Sequence, residues 1–238
     1  MLNINLSKYK LTVLYRAPLK GAKEVVLRAL DAGADIDDVE TSDHYTPINI
    51  AAWEGHWEIV LELINRGANV TIPTLTDKYT VLHWAALNGA KEVVSKTLDA
   101  GADIDAVETS QNYTPLNAAA AVGHWDIVQE LISKGANLNA PEKNQQNTVL
   151  HFAAQQGKLD IVKLLLCHKV NVNSLNKNNQ TALYEAALEN HWDIVFELIN
   201  QNANTDPPEC GKSLLELAEA AGQLYCLLKL LKEKNTCN

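Results

Sequence analysis

Cysteine is scarce in this chain and poorly placed for a covalent staple. The four, Cys167, Cys210, Cys226 and Cys237, all fall in the last third with no CxxC pair. That pattern fits reduced thiols rather than a disulfide framework or a zinc site, and no metal or other cofactor is expected. Positive charge is also short, with 20 Lys and Arg against 29 Asp and Glu and a net charge of −9. Nucleic acid and anionic membranes are therefore not the expected partners, since phosphate contact needs clustered cations. No apolar run reaches transmembrane length. The opening MLNINLSKYKLTVLY is broken by Lys8 and Lys10 and makes a poor secretory leader. The closing NTCN forms no prenylation box, so the expected location is the cytoplasm. HExxH, GxSxG, a Walker loop and GxGxxG are all missing.

What is present is a repeated helical unit. In YTPLNAAAAVGHWDIVQELISKGANLN (113–139), Thr114 is placed to cap a helix and Pro115 to occupy its first position. Gly123 suits the left-handed end of that helix. A second helix begins near Trp125, with Asp126 at its positive dipole end and Gly135 closing it. Ile127, Val128, Leu131 and Ile132 share one face of it. Neither short helix buries its apolar stripe alone.

The markers recur. Thr12, Thr46, Thr80, Thr114, Thr148, Thr181 and Ser213 are spaced by 34, 34, 34, 34, 33 and 32 residues. The helix-ending position holds Gly21, Gly55, Gly89, Gly123, Gly157 and Gly222, with Asn190 once, and Asn also tolerates the left-handed conformation. TPIN, TVLHWAA, TPLNAAA and TVLHFAA, then GHWEIV, GAKEVV, GHWDIV and GKLDIV, then GADID and GANLN resemble ankyrin repeats. The resemblance runs from about Thr12 to Leu231 as seven units. It implies an all-α solenoid of stacked helix-turn-helix units with β-hairpin-like finger loops, each unit touching only its neighbours. One domain over 1–238 is expected, with capping units at 1–37 and 206–238 around internal repeats 38–205.

A longer period lies above the first. Residues 21–49 nearly repeat at 89–117, an offset of 68, so the units alternate between two types. Pro18 deep in the first helix predicts a kinked or shortened element there. The last unit reads as a cap, with Lys229, Lys232 and Lys234 suited to the end of a longer helix. The fingers depart from the family pattern. Four of them carry one extra residue, and the turn glycine is replaced by His44, Lys78, Asn112, Gln146 and Asn179. Positive φ is costly for most of these, so the extra residue is expected to form a bulge or wider loop that relieves it.

Most chemistry-bearing residues recur with the period and belong to the scaffold. His83 and His151 occupy the H of the TPLH motif, and His56, His124 and His191 precede the second helices. Spread along an array, they cannot surround one centre, and hydrogen bonds to backbone between units are their expected role. Trp57, Trp125 and Trp192 read as core or semi-buried, and Trp84 and Phe152 as core. No catalysis is expected.

The residues left over are the candidates for binding. Tyr45, Tyr79 and Tyr113 precede the capping Thr at the finger base, and in the resembled family that position faces a concave groove. Trp53, Glu54, Leu87, Asn88, Gln155 and Gln156 precede the helix-ending glycine and face the same groove in that family. Asp43, Asp77 and Gln111 lie on the fingers beside them. Exposed aromatics on a rigid surface are enriched at binding hot spots. Acidic residues crowd the first finger (Asp35, Asp37, Asp38, Glu40, Asp43) and thin out in the third (Asp103, Asp105, Glu108). A solvated loop accounts for such a run as well as a basic partner does. The resulting expectation is a monomeric module that binds a partner protein, one bearing a basic segment, through its groove and fingers. The alternatives are a self-assembling structural protein, or an effector of an intracellular microbe that acts by binding in the host cytoplasm.

Overall fold

The computed structural model describes residues 6–39, 44–206 and 212–236. Among them every regular element is an α-helix. The chain divides into two compact bodies, residues 1–136 and 137–238. The first contains α1 (Leu6–Leu19), α2 (Lys23–Asp31), α3 (Pro47–Trp53), α4 (Trp57–Asn65), α5 (Val81–Leu87), α6 (Lys91–Asp99), α7 (Pro115–Val122) and α8 (Trp125–Ser133). The second contains α9 (Val149–Gln155), α10 (Leu159–Cys167), α11 (Ala182–Leu188), α12 (Trp192–Asn200), α13 (Leu214–Ala220) and α14 (Leu224–Thr236).

Each body is a two-layer stack. In the first, α1, α3, α5 and α7 pack in sequence as one layer and α2, α4, α6 and α8 as the other, each first helix lying on its own second helix. In the second, α9, α11 and α13 form the first-helix layer, and each packs on the helix that follows it. The apolar periodicity explains the layers. Ile127, Val128, Leu131 and Ile132 of α8 are all buried, as are Ala118, Ala119 and Ala120 of α7. Small alanines in the first helices let neighbouring backbones approach, and the aliphatic stripes of the second helices fill the space between layers.

The first helices start in two ways, and this divides the alternating types. In α3 and α7, Thr46 and Thr114 Oγ1 accept from the Asn49 and Asn117 amides at 3.4 and 3.2 Å. In α5 and α9 the residue at that position is histidine. The Thr80 amide donates to His83 Nδ1 at 3.2 Å, so Nδ1 is the unprotonated nitrogen and Nε2 donates to the Tyr113 carbonyl at 3.1 Å. His151 does the same between Thr148 and the Gln180 carbonyl. Burial pushes both imidazoles below the ordinary histidine value, against the hydrogen bonds to backbone carbonyls that favour the charged form. These histidines are neutral bridges from one repeat to the next, as the period implied.

The same alternation appears at the helix-ending glycines. His124 Nε2 bonds the Leu87 carbonyl at 3.2 Å, which lays its ring against Gly89. A Cβ on Gly89 would stand 2.8 Å from His124 Cε1, and one on Gly157 would stand 2.6 Å from His191 Cε1. Gly55 has no such neighbour, its nearest atom being Trp57 Nε1 at 3.9 Å.

Two expectations at the ends need revision. Pro18 does not shorten its helix, because α1 runs through it to Leu19. Placed next to the last residue, it forfeits one donor at a terminus that frays anyway. Lys234 serves a neighbour rather than its own helix. Its Nζ donates to the Asn200 carbonyl and to Asn202 Oδ1, both at 2.8 Å, closing the C-terminus of α12. Pro207, Pro208 and Gly211 lie outside the described residues.

Both Gly55 and Gly89 have positive φ, +74° and +72°. Gly55→Ala is expected to cost about 1 kcal/mol for that conformation. Gly89→Ala is expected to cost roughly twice as much, because the His124 bridge must also shift. Denaturant midpoints of the two variants check this, and equal midpoints would refute the bridge's contribution.

Candidate functional site

The fingers join each second helix to the next first helix, and their conformation sets where the candidate residues stand. Among the described residues they contain no strand. The hairpin-like expectation reduces to a single backbone rung per finger: Thr74 N to Tyr79 O at 2.9 Å, Glu108 N to Tyr113 O at 3.2 Å, Glu142 N to Asn147 O at 2.9 Å and Asn176 N to Gln180 O at 2.9 Å. The extra residue does not relieve the turn. His44, Lys78, Asn112, Gln146 and Asn179 all keep positive φ, at 55°, 58°, 54°, 59° and 56°.

A buried side chain holds that strain in place. Glu108, read from sequence as a surface charge, is 0% exposed. Its carboxylate accepts from the Ser110, Gln111 and Tyr113 amides at 2.6, 2.9 and 2.9 Å. Glu142 repeats the arrangement with the Asn144, Gln145 and Asn147 amides at 2.6, 2.6 and 3.2 Å. In the finger before, Thr74 Oγ1 accepts from the Tyr79 amide at 3.0 Å. In the shorter finger after, Asn176 Oδ1 accepts from Asn178 and Gln180. A left-handed residue costs about 1–2 kcal/mol. Hydrogen bonds to a charged acceptor return about 1.5–3 kcal/mol each, so the carboxylate wins. Burial alone would push the Glu108 carboxyl up, but the bonds from Ser110, Gln111 and Tyr113 outweigh it and hold it below the usual value.

The remaining acidic fingertips are partly structural too. Asp37 Oδ1 accepts the Asn69 amide of the next finger at 2.8 Å, and Asn139 and Asn173 do the same for Asn171 and Asn204 at 3.1 and 2.7 Å. Thr109 N bonds the Asp77 carbonyl at 2.8 Å, joining the tips of the second and third fingers.

The candidate binding residues separate on this frame. Tyr45 and Trp53 form a ring pair with centroids 6.0 Å apart, and Trp53 is 54% exposed at the end of α3. Glu54 beside it is exposed, Leu87 is half-buried and Val122 is 52% exposed one repeat further on. Tyr79 is built into the scaffold. It stacks on Trp84 at 5.4 Å and meets His83 edge-on at 5.6 Å. Burial, with Glu108 and Asp77 nearby, raises its phenol above the ordinary value against a hydrogen bond with Ser110 of the next finger. Tyr113 is half-buried and its amide closes on Glu108. Gln111 donates its amide to the same carboxylate, and Asn88 Nδ2 closes α5 on the Trp84 carbonyl at 2.9 Å. Asp77 is exposed, and Asp43 lies outside the described residues. Gln155 and Gln156 belong to the second body, where Leu188 in the register of Gln155 is 45% exposed. There Glu185 accepts from Asn176 Nδ2 at 2.7 Å, and burial pushes its carboxyl up.

Among the described residues no cluster of three or more His, Cys, Asp or Glu side chains has the arrangement to hold a metal ion. No helix among them is long and apolar enough to cross a membrane.

Paired short helices, stacked in two layers and joined by fingers with a fixed cap and a fixed left-handed turn, define a helical repeat protein. Models described as ankyrin repeats (3 copies) match residues 82–176 and 150–238, and one described as ankyrin repeats (many copies) matches 14–64. The chain belongs to the ankyrin-repeat family. Comparison with curated proteins finds no match. Ankyrin repeats are generally protein–protein interaction modules, and the family is typically non-catalytic.

Glu108→Gln retains the shape but offers one acceptor oxygen where two now serve the loop. It is expected to destabilise the chain at neutral pH by about 2 kcal/mol. Because the folded carboxyl titrates below its unfolded value, this contribution is present above the unfolded value and lost as pH falls through the folded one. Denaturation curves of wild type and variant should therefore converge on acidification. A gap that stays constant down to strongly acidic pH would refute the role of the charge.

Proposed function

We propose that the protein is a binding module whose first body holds a basic segment of a partner protein along its first-helix face. The observation that carries this reading is the division of charge around an exposed apolar stripe. Of the 29 acidic and 20 basic residues, 18 and 11 fall in residues 1–136, which leaves that body at −7 and the second at −2. Within the first body, the segments 33–56, 67–90 and 101–124, which carry three fingers with α3, α5 and α7, hold ten acidic residues and one basic residue, Lys78, whereas α1 and its turn carry Lys8, Lys10, Arg16 and Lys20. Four cations of the second-helix layer and its turns have acidic neighbours there. Arg66 meets Asp31 at 2.7 Å and Glu62 at 2.9 Å, and Lys134 meets Asp99 at 3.2 Å. Lys23 and Lys91 stand 3.9 Å from Glu58 and Asp126.

Exposed pairs of this kind stabilise the fold little. Their consequence is to leave the finger side acidic. That field would accelerate encounter with a cationic segment, and Trp53, Leu87 and Val122 supply apolar area once it docks. The helix stack holds these side chains in place beforehand, so little ordering entropy is lost on binding.

Joint replacement of Trp53, Leu87 and Val122 by Ser is expected to keep the helical circular-dichroism spectrum and reduce partner retention at least about tenfold, on the order of 1.4 kcal/mol. Capture with quantitative mass spectrometry, followed by cross-link mapping of the bound segment, checks it. Retention equal to wild type, or a bound segment of acidic character, would overturn the reading.

A further inference from the structure

The position of Trp53 carries a more specific conclusion, which rests on the reading above. Its register equivalents are Leu87, Ala121, Gln155 and Leu188, so the scaffold accommodates leucine, alanine or glutamine there. The fold does not require an indole at this site, yet one stands 54% exposed at the end of α3. By contrast, Trp84 and Trp192 are 8% and 6% exposed. The Tyr45 ring lies against Trp53 at 6.0 Å with a 39° tilt, and about half of the Trp53 surface remains exposed.

Three features around that ring favour a cation. The indole face carries negative quadrupole potential, the strongest among the aromatic side chains. The C-terminal end of α3 presents the negative end of its dipole in the same turn. Glu54, the next residue, is exposed and carries a carboxylate, and the described acidic residues on the same three fingers that are not buried are Asp35, Asp37, Asp38, Asp77, Asp103 and Asp105, against one cation, Lys78. We infer that Trp53 is a subsite for an arginine side chain of the partner segment, the guanidinium stacking on the indole with Glu54 as its counter-charge. Arginine suits the site better than lysine. Its planar, weakly hydrated guanidinium stacks on a ring and pairs with a carboxylate in one geometry, whereas an ammonium remains a strongly hydrated point charge.

The test uses the full chain with two short probes, acetyl-Gly-Arg-Gly-Arg-Gly-amide and its lysine counterpart. Each is titrated while the Trp53 indole N–H resonance is followed, that resonance being assigned by its loss in Trp53→Leu. The arginine peptide is expected to bind about 2–5-fold more tightly than the lysine peptide, the range for an exposed cation–π contact. Trp53→Leu should abolish the preference while both peptides still bind, and Val122→Ser should weaken both equally. Equal affinities in the wild type, or an arginine preference that survives Trp53→Leu, would overturn the arginine subsite and leave the basic-segment reading standing. If neither peptide perturbs resonances of Trp53, Leu87 or Val122, both readings fall together.

Discussion

The five fingers that lead into α3, α5, α7, α9 and α11 turn without glycine, and the rest of the structure depends on how that turn is held. A left-handed lysine, asparagine or glutamine persists only when its surroundings over-determine it. In the fingers that lead into α5, α7, α9 and α11 the surroundings are one acceptor side chain each, which gathers amides of the turn. Thr74, Glu108, Glu142 and Asn176 fill that position in successive fingers, and all four are buried. Buried amides without partners are costly, so the acceptor and the turn are a single device. Its output is positional. It sets the finger base where Tyr79 and Tyr113 sit, and it delivers the carbonyls of Tyr113 and Gln180 to the histidines of the preceding repeat.

The 68-residue period acquires a physical meaning from those histidines. One repeat type reaches forward with His83 or His151 at the start of its first helix and ends that helix on a glycine bare enough to receive the next repeat's imidazole. The other type starts with Asn49, Asn117 or Tyr184 and supplies that imidazole from His124 or His191. Asn49 Nδ2 bonds the Ile72 carbonyl at 3.0 Å and Tyr184 Oη bonds the Thr205 carbonyl at 3.0 Å, so this type bridges forward as well, with different atoms. The two interfaces are not interchangeable. A chain duplicated in pairs keeps both, whereas an odd shift would set a Cβ-intolerant glycine against the wrong neighbour.

The helices were legible because their signals are local. Thr114, Pro115, Gly123 and Gly135 act through sterics and hydrogen bonds within a few residues, and α7 and α8 begin and end where those residues stand. The fingers are less legible. Glu108 looks like one more loop charge, since burial depends on neighbours that no single loop reveals. A signal was nonetheless there. Glu108 and Glu142 lie 34 residues apart, each six before a capping threonine, and Thr74 holds the same register with another acceptor. Repetition of chemical role rather than of residue identity was the clue. Register places Trp53 and Leu87 at equivalent positions of successive first helices. It does not distinguish Tyr79, whose ring stacks on Trp84, from Trp53, which is 54% exposed, because that difference lies in packing.

That distinction bears on where specificity resides in such a scaffold. Residues that recur with the period answer to the fold and are poor places to look for partner choice. A position where the repeats disagree, and where the disagreement places a large side chain in solvent, answers to something else. Trp53 meets both conditions. The unequal charge of the two bodies follows the same logic, because both use the same helices and turns while only the first carries an acidic, aromatic finger side. Architecture is shared along the chain, and the chemistry laid on it is not.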